Sequence, residues 1–270
     1  GSEVFQKAME HLFENVPCQI VVDDILVWGK TETEHNENLK KVLDRAREVN
    51  LKLNRKKCRL NVTSVTYVGH VLSSDGLRPD PQKTRAISEM PSPTDKTAVQ
   101  RFLGLVNYVA KFIPNLSERA KPLRVLIKQD VEWHWTEHQQ KAFDDLKRCV
   151  IEPPVLGYYN VAQPVKLTCD ASQNGLGAAI LQGEAPIAYA SKAMTPTQMN
   201  YAQIEKELLA VLFACKRFDD YLYGKPQVIV ETDHQPLVSI FNKPLRSAPM
   251  RLQKMMLALQ RYNIKLIYKK

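Results

Sequence analysis

Asp23 and Asp24 stand side by side between two apolar runs, Gln19-Ile-Val-Val22 and Ile25-Leu-Val-Trp28. Adjacent acids in that setting are not ordinary core, and the pair lacks the Gly or Asn that a tight type I′ hairpin prefers. A turn explanation is therefore weaker than usual, and metal ligation is a fair expectation. Further along, Asp170 ends the strand-like run Val165-Lys-Leu-Thr-Cys-Asp170, on the face opposite Val165, Leu167 and Cys169. Asp233 follows the strand-like Val228 to Thr232, and Glu205 and Glu207 lie on a helical pattern between the two. Carboxylates converging from separate elements are what phosphodiester chemistry with two magnesium ions needs. The ions sit about 3.5–4 Å apart and stabilise both the attacking and the leaving oxygen. Glu207 comes three residues after Ile204 and four before Val211, inside an apolar stripe where an unpaired carboxylate is costly. Glu205 has apolar neighbours too, so periodicity leaves the choice open. Singly, any of these acids reads as a helix cap or a surface residue; their combination points to a metal site.

The charge is uneven in a way that suits a polyanionic partner. In 270 residues, 38 Lys+Arg against 29 Asp+Glu leave a net charge of +9. Nine basic residues fall within 39–60, among them Lys52, Arg55, Lys56 and Lys57, against only Asp44 and Glu48. From His234 to the end there are eight Lys and Arg, Arg251 among them, and no acid. Between these stretches, 130–152 is acidic. Two basic stretches, each next to a carboxylate site, suggest a polyanion contacted at two places.

Composition removes several classes. With 44% apolar and 25% charged residues, the chain is ordinary globular protein rather than disordered. The longest apolar run, Leu208 to Cys215, falls far short of the roughly 20 residues of a membrane helix. Five widely spaced cysteines without a C-x-x-C argue against a disulfide framework and a zinc site. Gly1-Ser2 reads as a cloning remnant, and no signal or transit peptide pattern follows it. An intracellular place, cytoplasm or nucleus, is the expectation.

Three blocks position these residues. The first carries a short helix from Val4 to Phe13, the strand pair around Asp23-Asp24, a helix from about Glu34 to Asn50, and a further strand from Val65 to Leu72. Prolines 79, 81, 91 and 93 lead into a helical block. There Asp95 caps a helix with Val99, Phe102, Leu103, Val106, Val109 and Phe112 on one stripe, stopped by Pro114. Thr136 and Gln139 form a capping-box pattern for the next helix. The third block reads as three strands, one long helix from about Thr197 to Phe218, a strand, a helical stretch near 249–260 and a last strand from Tyr262 to Tyr268.

These residues carry a family resemblance over essentially the whole chain, in order. Val21-Val-Asp-Asp-Ile-Leu-Val27 resembles the metal-binding hairpin of reverse transcriptases, with Val where Tyr is common. Tyr67-Val-Gly-His-Val-Leu-Ser-Ser-Asp-Gly76 resembles the segment that grips the primer end, which implicates Tyr67, Gly69 and His70 in nucleic-acid contact. Arg101-Phe-Leu-Gly-Leu-Val-Asn-Tyr-Val-Ala-Lys-Phe-Ile-Pro114 is similar to the thumb signature of gypsy-type LTR retrotransposon Pol polyproteins. Thr168-Cys-Asp-Ala-Ser172, Glu205-Lys-Glu-Leu-Leu-Ala-Val211 and Glu231-Thr-Asp-His-Gln-Pro-Leu237 resemble the three successive motifs of the adjoining RNase H domain.

The resemblance implies an α/β and α+β multidomain chain. It would hold a partial polymerase palm over 3–80, a helical thumb or connection over 81–157, and an RNase H-like mixed-sheet domain over 158–270 lacking its C-terminal helix. Asp23 and Asp24 match the polymerase metal pair, the first being the firmer ligand. Asp170, Glu207 and Asp233 match three of the four RNase H carboxylates, and Glu207 is selected over Glu205 because the motif's acid directly precedes Leu-Leu-Ala. The implied ion is Mg2+, with Mn2+ as the alternative, and the implied partner is an RNA–DNA hybrid or primer–template duplex, the RNA strand being the one cut. The family's third polymerase aspartate precedes Glu3 and its fourth RNase H carboxylate follows Lys270. The chain alone is therefore expected not to polymerise DNA and to hold metal weakly at the second site. The competing expectation is a host-adopted, inactive remnant that binds nucleic acid or protein. Palm surface around Phe5, Met9 and Val21 is expected to seek a second copy or the missing polymerase segments.

Overall fold

A computed structural model describes residues 1–269, which fall into two compact units, Gly1–Ser74 and the remainder from Asp75.

The first unit runs α1 (Ser2–Leu12), β1 (Gln19–Val21), β2 (Asp24–Leu26), α2 (Glu32–Glu48), β3 (Ser64–Tyr67) and β4 (His70–Ser73). Its core is small: Met9 and Phe13 from the α1 end, Ile20 of β1, and Val42 and Ala46 of α2. Met9 is thus core rather than the exposed partner-seeking residue expected, because it lies on the face of α1 turned toward that cluster; Phe5 is exposed and Val21 half-buried. Thr31 starts α2 by accepting the Glu34 N–H on its hydroxyl (3.1 Å), and the Glu34 carboxylate takes the Lys30 N–H (2.8 Å). That reciprocal cap sets the start two residues before the apolar stripe suggests. The single strand expected over Val65 to Leu72 is instead a hairpin, with Tyr67 opposite His70. Val68 and Gly69 both take positive φ (49° and 72°), the type I′ geometry that matches the twist of paired strands.

The second unit opens with β5 (Gly76–Pro79), bridged through Leu77 to Leu156, and continues through α3 (Pro81–Ser88), α4 (Lys96–Tyr108), α5 (Leu116–Arg119), α6 (Lys121–Leu126) and α7 (Glu137–Ile151). Asp95 caps α4 by accepting the Ala98 N–H at 2.7 Å, and Thr136 with Gln139 forms the capping box of α7. Phe102 and Phe143 meet at 4.5 Å in the core of this block. α4 ends at Tyr108, and Phe112 enters the core from a 3-10 turn over Ala110–Phe112. Pro114 holds Ile113 in extended backbone, which cannot continue a helix.

A five-stranded sheet of order β10-β9-β6-β7-β8 fills the rest. β6 (Val165–Ala171), β7 (Gly175–Gln182) and β8 (Ala185–Ala193) form an antiparallel meander. β9 (Val228–Thr232) lies parallel to β6, and β10 (Ile264–Tyr268) parallel to β9. Its helices are α8 (Pro196–Met199), α9 (Gln203–Arg217), α10 (Asp219–Leu222), α11 (Gln235–Phe241) and α12 (Met250–Leu259). Leu208, Val211, Ala214 and Cys215 of α9 pack with Leu167 and Cys169 of β6 in one cluster. The one long helix expected from Thr197 is broken around Asn200–Ala202, and the second start is made by the Glu205 carboxylate accepting the Ala202 N–H (3.1 Å). No Ser, Thr, Asp or Asn stands at that start, so the usual cap signal is missing. Among the described residues no helix is long and apolar enough to cross a membrane.

Candidate active site

β6 alternates strictly, Val165, Leu167, Cys169 and Ala171 inward and Asp170 exposed on the other face, paired across the ladder with Gly177 of β7. β9 runs parallel beside it and ends at buried Thr232, so the exposed Asp233 leaves the sheet at the same end as Asp170. Glu207, on the second turn of α9, is only 4% exposed. Its side-chain partner is Gln203, whose Nε2 donates to Glu207 Oε1 at 2.6 Å and also to the Ala171 carbonyl at 3.2 Å. One amide thus ties the helix carboxylate to the end of β6. Burial, and then the carboxylates of Asp233 and Asp170, push the Glu207 carboxyl up to about 7, against the pull of the Gln203 hydrogen bond.

Glu205 has a different role. It caps α9 and is held by Arg251 through two hydrogen bonds of 2.7 and 2.8 Å, with the guanidinium stacked 4.1 Å from the Tyr201 ring. The choice that periodicity left open is decided by partners: Glu205 has a cation and a backbone N–H, Glu207 has neither. Arg251 is accordingly committed within the fold. His234 caps α11, its Nδ1 accepting the Leu237 N–H at 3.2 Å. Lys269 of the basic C-terminal stretch pairs with Glu231 at 3.2 Å, and Lys166 with the same carboxylate at 3.5 Å.

Among the described residues, no three His, Cys, Asp or Glu side chains are already drawn together tightly enough to hold an ion. The donor set nevertheless fits a divalent cation. A buried carboxylate made harder to ionise by two carboxylate neighbours, with no basic partner of its own, is a site short of positive charge. Oxygen-only donors are the preference of magnesium.

In the first unit, Val21 pairs with Asp24, so Val22 and Asp23 form a two-residue turn despite the absence of Gly or Asn. Val22 sits at φ 55°, a region that a β-branched residue enters only under strain. What holds it is tertiary: the Val22 N–H donates to Gln6 Oε1 at 2.5 Å, and Gln6 Nε2 donates to the Ile20 carbonyl at 3.0 Å, clamping the hairpin to α1. Both aspartates are exposed. Tyr67 donates to the Gln19 carbonyl at 3.2 Å, and its hydroxyl is made harder to ionise by burial and then by Asp24, which places it beside the hairpin. Gly69 follows in the next hairpin turn and His70 opens β4, and Lys52, Arg55, Lys56 and Lys57 are exposed in the segment after α2. Val22→Gly is expected to stabilise the first unit by about 1 kcal/mol, the relieved left-handed strain exceeding the added chain entropy. Urea unfolding would measure it, and a destabilised variant would show that the Val22 backbone is not strained.

Residues 2–72 match the family model of reverse transcriptase (RNA-dependent DNA polymerase), and residues 135–230 that of an RNase H-like domain found in reverse transcriptase. The chain is similar to the retrovirus-related Pol polyproteins from transposons 297 and opus of Drosophila melanogaster, 34% identical to each over 98% of its own length. It is 32% identical to the transposon Tf2-3 polyprotein of Schizosaccharomyces pombe over 92% of its length. It spans 25%, 28% and 19% of those proteins respectively, a quarter or so of their length. Two solved structures of a foamy viral protease-reverse transcriptase, one with dsDNA and one with RNA/DNA hybrid, align with 100% of the chain at 25% identity. Their TM-scores are 0.85 and 0.84, with 58% and 38% of those chains covered.

Proposed function

We propose, from its similarity to the reverse transcriptase and RNase H segments of retrotransposon Pol polyproteins, that the chain's second unit cleaves the RNA strand of an RNA–DNA hybrid. In the gypsy-type polyprotein that this reading implies, the first unit is part of the palm that copies RNA into DNA, with Asp23 and Asp24 as its metal ligands. The observation that carries the cleavage reading is Glu207: buried, bonded to one glutamine, and crowded by Asp170 and Asp233. Asp170, Glu207 and Asp233 would hold Mg2+, or Mn2+ in its place, which when bound would supply a more acidic water and positive charge toward the phosphate. The protein supplies position. β6 and β9 fix two carboxylates on parallel neighbours, and Gln203 orients the third. Exposed Lys52, Arg55, Lys56 and Lys57 attract the duplex backbone.

The test is cleavage by the whole chain of a labelled hybrid, with an all-DNA duplex and a chelated sample beside it. Cutting of the RNA strand alone, dependent on Mg2+ or Mn2+, is expected. Hybrid binding without cutting in either metal would overturn the catalytic reading and leave a binding module. Replacing Lys52, Arg55, Lys56 and Lys57 together by alanine is expected to weaken hybrid and DNA binding alike. The slope of log affinity on log salt should fall in magnitude by about 3.6, roughly 0.9 for each of four lost phosphate contacts. An unchanged slope would remove these residues from the interface.

A further inference from the structure

The helical block reaches the carboxylate site. α5 packs on β7 and β8, and the turn before it, Pro114-Asn115, borders a cleft shared with Asp170, Ser172, Gly177 and Ser191. Asn115 stands there in left-handed backbone (φ 53°, ψ 32°). Three tethers hold that turn: Arg119 Nε donates to the Pro114 carbonyl at 3.1 Å, the Ser117 N–H donates to Ser191 Oγ at 2.8 Å, and Arg124 donates to Ser117 Oγ at 3.2 Å. Arg119 is itself anchored to Asp145 at 2.5 Å. The close approach depends on Gly177, the cross-strand partner of Asp170, because a Cβ at 177 would collide with Asn115 Oδ1. Among the described residues the Asn115 amide has no protein hydrogen-bond partner. Asn115 is exposed, so its firmly held backbone presents a solvent-facing amide at the cleft beside Asp170.

We propose that Asn115, contributed from outside the sheet, hydrogen-bonds a ribose hydroxyl of the RNA strand beside Asp170. This rests on the cleavage reading of the Asp170 site. The cleft favours a neutral hydroxyl over a phosphate on two grounds. No basic side chain lines it, and Asp170 and Glu118 would repel an anion. It also has room for only one group the size of a water molecule or hydroxyl. A carboxamide both donates and accepts, which matches the 2′-hydroxyl that separates RNA from DNA.

Binding of the whole chain to a hybrid and to an all-DNA duplex of the same sequence, in metal-free buffer by fluorescence anisotropy, tests this. Asn115→Gly keeps the left-handed backbone and removes only the side chain. It is expected to lower hybrid affinity about three- to tenfold, the loss of one neutral hydrogen bond, with DNA affinity unchanged. Equal loss on both duplexes, or no loss on the hybrid, overturns the proposal. So does a parent chain with no preference for the hybrid, or a Gly177→Ala chain that stays folded by thermal melting and keeps that preference whole. Because the readout is binding, a parent chain that prefers the hybrid yet does not cut it fails the cleavage reading and leaves Asn115 in place.

Discussion

Asp170→Asn is expected to lower metal-dependent cleavage of the RNA strand by at least about a hundredfold while leaving hybrid affinity within about twofold. Asp170 is exposed, and its backbone is held in the β6–β7 ladder opposite Gly177, so an isosteric amide creates no cavity and buries no new polar group. What it removes is a full negative charge from an ion site, where the stabilisation at stake is several kcal/mol and each 1.36 kcal/mol is tenfold in rate. Single-turnover rates at saturating chain, with circular dichroism to show an intact fold, measure the effect. A variant that cuts at the parent rate would sink the assignment of Asp170 as a metal ligand.

Glu207→Gln is expected to stabilise the metal-free protein at pH 8 and to change little at pH 4. The carboxyl titrates near 4.5 when unfolded and near 7 when folded, raised first by burial and then by Asp233 and Asp170. A group held protonated in the folded state stabilises fully below 4.5, and that contribution is lost as pH rises toward and through 7. The gap corresponds to on the order of 3 kcal/mol by pH 8. Glutamine has no such dependence and still accepts from Gln203. For a unit of this size the melting temperature of the second unit should rise by roughly 5–10 °C at pH 8. Added Mg2+ should stabilise the parent more than the variant, since the ion binds the folded carboxylates. Equal melting of parent and variant at pH 8, or as large a gain at pH 4, would show that Glu207 is not a strained carboxylate.

Much of the architecture was legible along the chain because its signals are local. The alternation of Val165 to Asp170 placed the aspartate outward, and the α4 stripe named residues that are buried, Val99 and Phe102 among them. The Thr136–Gln139 pattern located the start of α7. The misses were one position where a distant partner overrides local preference and two where a local turn or restart carries a weak signal. Val22 tolerates a tight turn because Gln6 of α1 clamps its N–H. Val65 to Leu72 folds back on itself at Val68-Gly69, for which Gly69 was the available signal. The helix after Thr197 breaks where Glu205 restarts it.

By itself, then, the sequence determined the order and type of most elements, the uneven basic charge, and the set of acids proposed for a site. Those follow from the spacing of apolar and charged residues over a few turns or a single strand. Periodicity did not separate Glu207 from Glu205; the family motif selects Glu207, and the tertiary structure supplies the physical difference, which lies in burial and in an arginine 46 residues away. The tertiary structure alone brought Asn115 to Gly177 beside Asp170, across 62 residues of chain in which no pattern links the two. Periodicity reports which face a residue occupies, but the partner met on that face depends on the packing of the whole chain.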